Sequence, residues 1–340
     1  MRLPTSRRSA LAGLLSAFVL PRLARAQSAN YLLRDDVREF IDAVTAGFSF
    51  DRAWLLSVLG QARYDETSER LTTPSLQPPS NKNWREYRQR ALDEKRIREG
   101  LVFLQANHAT LARATATFGV PEEIVVSIIG IETMFGRMSG SHRIVDVLMT
   151  LSFDYTRRAA YYREELAQFL LLCREQRLDP LAQRGSFAGA LGMPQFMPSS
   201  VRRLAIDFDG DGRIDIANST ADAIGSVAHF LSENGWKRGL PVALNAQASA
   251  EVTEVLGETI RAFYRWQDVQ RLGVTIDGTL DPDTRVLLAD LPFVSANGIE
   301  GIEYRVGTVN FSALLNYNRS FLYAAAVAEL AQVLRVRRHV

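Results

Sequence analysis

The sequence predicts a mainly α chain of the α+β class, in which a helical lobe leads into a helical core and a small β-containing insertion falls late. Three observations carry this. Residues 37–107 read as helices with one polar break. The segment after Pro121 is apolar nearly all round, as a helix at the centre of a molecule must be. Residues 242–310 change to short β-type runs separated by turns, and residues 311–334 return to helix. With 340 residues, 47% of them apolar and 23% charged, the chain can bury a large core. It reads as one continuous unit with sublobes at 27–118, 119–240, 241–310 and 311–340.

Residues 1–26 read as an export signal. Thr5-Ser6-Arg7-Arg8-Ser9 leads into an apolar run over residues 10–20, and Ala24-Arg25-Ala26 sets a cleavage point after Ala26. The paired arginines resemble a twin-arginine signal, the alternative being a general secretory signal that happens to carry Arg-Arg. Five basic residues and no acid lie in these positions, so the formal charge of +2 belongs to the signal and the rest is slightly acidic. A near-neutral chain gives no reason to expect nucleic acid as a partner. No cysteine stands directly after the cleavage point and no apolar run has spanning length, so no stable membrane anchor is expected. The single cysteine, Cys173, cannot form an internal disulfide and reads as a packed core residue.

The other elements follow in order. The polar break at 72–80 holds two consecutive prolines and reads as a loop. Residues 101–117 read as one helix ended by Gly119. Pro121 opens the next, because proline at the first helical position gives up no hydrogen bond, and Glu122 and Glu123 suit its positive end. This helix is read as running from Ile124 to Gly136. Further helices are expected at 159–176 and 222–234, and strands at 274–280 and 302–306.

Glu132 is the sharpest feature. Ile128, Val125 and Ile124 share its face of the helix. An ionised carboxylate is costly to bury, and a desolvated glutamate answers by raising its pKa, which is the state a general acid needs. The bland alternative is a buried glutamate held by helix-end amides or by an arginine, with Arg137, Arg157 and Arg158 near in the chain. Residues 186–199, with three glycines, two prolines and Gln195 among apolar residues, suit a backbone that a ligand approaches closely; a tight turn between helices would look the same. Asn316-Tyr317-Asn318-Arg319-Ser320 and Tyr323 add aromatic and amide groups that suit sugars, although such tyrosines are commonly core residues.

Three segments, Gly130-Ile131-Glu132-Thr133-Met134-Phe135-Gly136-Arg137, Leu151-Ser152-Phe153-Asp154-Tyr155-Thr156-Arg157-Arg158 and residues 186–199, together with residues 316–320, resemble in order and spacing the membrane-bound lytic murein transglycosylase B family. The resemblance covers about residues 37–334. It implies a lysozyme-like core, completed by the C-terminal helix, that cleaves the β-1,4 bond between N-acetylmuramic acid and N-acetylglucosamine in peptidoglycan glycan strands and leaves 1,6-anhydro ends. By the same resemblance Glu132 is the single acid and base, Ser186 supports it, Gln195 and Tyr317 contact sugar, and Tyr87, Arg157, Arg158, Asn318 and Tyr323 line the cleft. A paired-carboxylate glycosidase needs a second placed acid, and no second acid is comparably set among apolar residues. A monomer in the periplasm is expected, and no cofactor for the chemistry.

Asp207, Asp209, Asp211 and Asp215 stand at positions 1, 3, 5 and 9 of a loop with Gly212 at position 6, the front half of an EF-hand in which Arg213 offers its carbonyl. Asn218 replaces the usual final glutamate, and Asp222 can close a longer loop. The family it resembles carries such a lengthened loop, which points to a structural calcium ion; the alternative is a solvated acidic turn. Competing functions are a lysozyme-type hydrolase using Glu132 with water, and an inactive peptidoglycan-binding scaffold. A zinc hydrolase is excluded because His108, His142, His229 and His339 show no ligand spacing.

Overall fold

The computed structural model of the protein describes residues 31–73, 83–256 and 259–338. The export signal and most of the proline-containing break lie outside the described residues. The chain divides into two compact units between Tyr64 and Asp65. In the first, a short 3-10 turn (Tyr31–Leu33) leads into α1 (Asp35–Phe48) and α2 (Arg52–Leu59). Val37, Ile41 and Val44 recur at helical spacing and form the buried stripe of α1, and the Asp51 side chain caps α2 by accepting from the Ala53 amide.

The second unit is mostly helical. Three side chains start its first helices: Asp65 caps α3 (Glu66–Thr72), Asn83 caps α4 (Trp84–Ala91) and Asp93 caps α5 (Glu94–Ala106). The helix expected over 101–117 is broken: α5 ends at Asn107, whose side chain turns back to the Phe103 carbonyl, and α6 (His108–Phe118) begins there, ending at Gly119 with φ 76°. Then follow α7 (Glu122–Thr133), α8 (Ile144–Phe153), α9 (Ala159–Gln176), α10 (Pro198–Leu204) and α11 (Thr220–Glu233). A two-residue pair, β1 (His142–Arg143) and β2 (Arg184–Gly185), joins the approaches to α8 and to the Ser186 segment.

α7 and α8 form the centre. In α7 every residue from Ile124 to Gly130 is buried, and α8 is buried along nearly its whole length. Each large apolar side chain removed from water in this way contributes about 1.5–3 kcal/mol. The return to helix at the C-terminal end is likewise two helices, α14 (Val309–Tyr317) and α15 (Phe321–Arg337), with Asn318 ending the first and Ser320 capping the second. α15 packs on α7, α5 and α4. No single described helix is long and apolar enough to cross a membrane.

The insertion is a five-stranded antiparallel sheet in the order β4-β6-β7-β3-β5, from β3 (Ala243–Gln247), β4 (Tyr264–Arg265), β5 (Thr275–Ile276), β6 (Arg285–Val294) and β7 (Glu300–Thr308), with two short helices, α12 (Ala250–Leu256) and α13 (Trp266–Arg271). Its own core gathers Leu256, Trp266, Val269, Val274, Val286, Leu288 and Val306. The strand expected at 302–306 is the middle of β7, whereas that at 274–280 shortens to β5. β6 pairs with β7 from Val286↔Thr308 to Val294↔Glu300, and the hairpin so formed also packs on α4 and α15.

Candidate active site

The site is built on the last turn of α7. Its first turn is stabilised by Glu122 and Glu123, which suit the positive helix end and pair with Arg338 at 2.7 and 3.6 Å. Its end comes earlier than the reading to Gly136: the helix stops at Thr133, because Met134 and Phe135 adopt φ 48° and 61° and Gly136 adopts 85°. Left-handed backbone is costly outside glycine, so the two residues before Gly136 need external support. Thr133 supplies it. Its hydroxyl lies 3.0 Å from the Met193 carbonyl and 3.2 Å from that of Ile129, and it accepts from the Gly136 amide at 3.0 Å. The turn folds the Phe135 ring back onto Gly130, where a β-carbon would stand 2.7 Å from the ring.

Glu132 therefore projects from a fixed position. Part of its surface is open, yet the protein packed around its carboxyl pushes its pKa from the ordinary 4.5 up to about 7, with burial the dominant cause. The Tyr323 hydroxyl opposes the rise. That hydroxyl is buried and closes no hydrogen bond of normal geometry among the described residues. Tyr87, Tyr317 and Tyr323 all have raised pKa values, first through burial and then through the charge of Glu132, which places three phenols from α4, α14 and α15 around one carboxyl. The Tyr317 hydroxyl donates to the Pro194 carbonyl at 2.5 Å, and its ring packs edge-on against Phe230. Among the described residues no arginine pairs with Glu132, and Arg137 is paired with Glu99.

Thr133 and Tyr317 both reach the segment that carries Gln195, at Met193 and Pro194. Gln195 itself has φ 54°, and its amide nitrogen donates to Ser139 and Gly192 carbonyls at 3.1 and 2.9 Å, so its donors are spent within the protein. Ser186 accepts from the Ala188 and Ala190 amides, so its oxygen organises the turn that follows it. Arg157, Arg158 and Asn318 are exposed, with Arg158 stacked 4.2 Å over the Tyr161 ring. No hydrogen bond or ion pair among the described residues joins those three to Glu132.

Sequence reasoning missed Arg96 and Glu165. Arg96 donates to the Gly130 carbonyl at 3.1 Å, two residues before Glu132, and also to Ala91 and Asp93, so it ties the end of α4 to α7. Glu165, only 3% exposed, accepts from the amide and hydroxyl of Ser199 at 2.9 and 2.7 Å and holds the helix that follows the Gln195 segment. Asp93 and Arg96 are visible as an i, i+3 pair, but neither distant partner leaves a signal in sequence.

In the acidic loop, carboxylate oxygens of Asp207, Asp209 and Asp211 lie within 4.8 Å of one another. Asp207 also accepts from the Gly210 and Gly212 amides at 2.7 and 2.8 Å, and Asp211 from that of Arg213 at 2.8 Å. Asp222, 1% exposed, bonds the Phe208 amide at 2.7 Å and the Asp215 amide at 2.8 Å, and so closes both ends of the loop.

Glu165 and Asp222 are buried acids too, contrary to the sequence expectation, but both are tied up by backbone amides. A helical core around a carboxyl whose pKa burial raises, ringed by phenols and flanked by a glycine-rich segment, defines a lysozyme-like glycan-cleaving enzyme. Comparison with known proteins makes this specific. The chain matches the Transglycosylase SLT domain family over residues 33–332. It is 38% identical over 310 residues to membrane-bound lytic murein transglycosylase B of Escherichia coli (strain K12), covering 89% of this chain and 83% of that one. The crystal structure of soluble lytic transglycosylase SltB1 from Pseudomonas aeruginosa superposes with a TM-score of 0.80 at 40% identity, over 90% of this chain and 100% of that chain. The Escherichia coli lytic transglycosylase Slt35, solved in complex with calcium, gives 0.77 at 37%, over 93% and 95%. The chain belongs to this family and is a lytic murein transglycosylase.

Proposed function

We propose that the chain cleaves the β-1,4 bond between N-acetylmuramic acid and N-acetylglucosamine with Glu132 as its sole acid and base. The observation that carries this is a carboxyl held by burial to about 7, so that its protonated form is well populated near neutral pH, with no charged carboxylate among the causes of its shift. The Glu132 proton passes to the bridging oxygen as the C1–O bond breaks. The substrate's N-acetyl oxygen shares the charge at C1, the role a second carboxylate has elsewhere. The Glu132 carboxylate then removes the C6 hydroxyl proton, and O6 closes on C1 to give the 1,6-anhydro end without water. Tyr87, Tyr317 and Tyr323 are assigned to the walls around Glu132, Gln195 to a sugar through its oxygen, Ser186 to supporting the acid, and Arg157, Arg158 and Asn318 to the open rim.

The test is mass spectrometry of sugar products from purified peptidoglycan, with wild type against Glu132→Gln. Anhydro ends from the wild type alone are expected. Reducing ends would make it a hydrolase, and no product from either protein would leave a binding role.

A structural calcium ion is part of the proposal. Three clustered carboxylates repel one another unless a cation is shared, and oxygen donors at this spacing suit calcium. Asp207, Asp209, Asp211 and the Arg213 carbonyl would hold it, with Asp222 closing the loop. Its chemistry would be confined to fixing the loop, and no step of the reaction passes through it. The proposal also includes export to the periplasm by the signal in residues 1–26, action there as an unanchored monomer, and the sublobes at 27–118, 119–240, 241–310 and 311–340.

A further inference from the structure

We propose that the β6–β7 hairpin is the positioning arm of the active site, with Arg305 as the residue that sets Tyr87 over Glu132. The proposal rests on the reading of Tyr87 as a cleft residue and assigns the late insertion a part in the reaction. α4 is eight residues long and polar, with only Trp84 and Ala91 buried, and a helix that short does not hold its place unaided. The hairpin grips its first turn. Asn83 donates to the Val294 carbonyl at 2.8 Å, the Arg85 guanidinium lies 3.7 Å above the Phe293 ring, and the Trp84 indole nitrogen donates to Glu303 at 3.0 Å.

Arg305 closes this set. It is 9% exposed and donates to Glu303 at 3.1 Å and to Glu329 at 3.0 Å. Glu303 lies on β7 and accepts from Trp84; Glu329 lies on α15 and accepts from Arg88. One guanidinium thus bridges two carboxylates, each of which holds α4. Without it Glu303 keeps only Arg85, 3.9 Å away, and Glu329 only Arg88 among the described residues, and removing the shared cation from a part-buried network costs more than its exposed pairs contribute. Trp84 and Tyr87 are three residues apart on one helix face, so holding the first sets the second. α15 also carries Tyr323, so the same network fixes the separation of two of the three phenols around Glu132. Arg305 is thus a positioning residue, acting through α4.

The test compares wild type, Arg305→Met, Tyr87→Ala and the double variant on a defined glycan chain across pH. Arg305→Met is expected to lower kcat/KM about tenfold and to move the alkaline limb of the profile to lower pH, because a loosened α4 lets water reach Glu132. In the Tyr87→Ala background the same substitution should cost less than twofold. An unchanged alkaline limb in a folded Arg305→Met protein would overturn the proposal, as would effects that multiply fully in the double variant. Wild-type kinetics for Tyr87→Ala would instead refute the cleft role of Tyr87, and the proposal with it, an outcome distinct from the other two. Should Arg305→Met fail to fold, Glu329→Gln, which removes one charge and keeps an acceptor for Arg88, makes the same comparison with a smaller expected loss.

Discussion

Glu132 works because of its neighbours at the scale of single atoms. Burial holds its proton on to about pH 7, and the acid form must be present when the bridging oxygen departs. Activity is therefore expected to fall as pH rises through about 7, and the limb should vanish with the residual rate of Glu132→Gln. A rate that stays flat to pH 9 would mean that the carboxyl ionises normally and that another group donates the proton. Gly130 is the second residue-scale constraint, since a β-carbon there would stand 2.7 Å from the Phe135 ring. Gly130→Ala gains about 1 kcal/mol in helix propensity. It loses about 1–3 kcal/mol to overpacking, and it disturbs the turn two residues past the acid. Thermal melting should show a net loss of stability, with activity falling further than stability; a variant that melts at or above the wild type would remove the packing argument.

Among the elements, the join between α7 and the Gln195 segment matters most. Thr133 bonds both, and Thr133→Val leaves the buried Met193 carbonyl and the Gly136 amide without their partner. Orphaned groups of this kind cost about 1–3 kcal/mol each. Because the loosened segment is the one expected to hold sugar, KM should rise more than kcat falls, which steady-state kinetics on a defined glycan would measure. The acidic loop is a second such element. A ligand that binds only the folded state stabilises it by about 2.7 kcal/mol at a hundredfold excess over Kd. Calcium should therefore raise the melting temperature of the wild type and leave that of Asp207→Ala unchanged; equal shifts in both proteins would refute the site. Position and spacing made this loop legible in sequence, because its carboxylates alternate within nine residues. Thr133 was not legible as a bridge, since its partner lies sixty residues away.

Across the whole molecule, periodicity reports which elements form and says little about what they meet. The apolar runs marked α7 and α9 well, but residues 101–117 continued one amphipathic pattern across the break at Asn107. β6 escaped notice because it is buried on both faces from Val286 to Ala289 and so lacks the alternation that marks a half-exposed strand. Tyr317 and Tyr323 are neighbours in sequence, but Tyr87 comes from a helix far earlier in the chain, and only the family resemblance joined it to them. One consequence does reach the whole molecule from a single group. Unfolded, Glu132 titrates near 4.5; folded, it titrates near 7, so between these values the folded chain keeps a proton that the unfolded chain has lost. Stability from this group is thus fully present below about pH 4.5, declines as pH rises through 7, and is constant above, with a total loss of up to about 3 kcal/mol. Glu132→Gln carries no charge at any pH and escapes that loss. Its melting temperature should match the wild type near pH 4 and exceed it by several degrees at pH 8, as a few kcal/mol does in a chain of this size. The comparison needs only melts at two pH values. A gap that does not widen with pH would mean that the folded state holds Glu132 as water does, and the proposed acid would lose its physical basis.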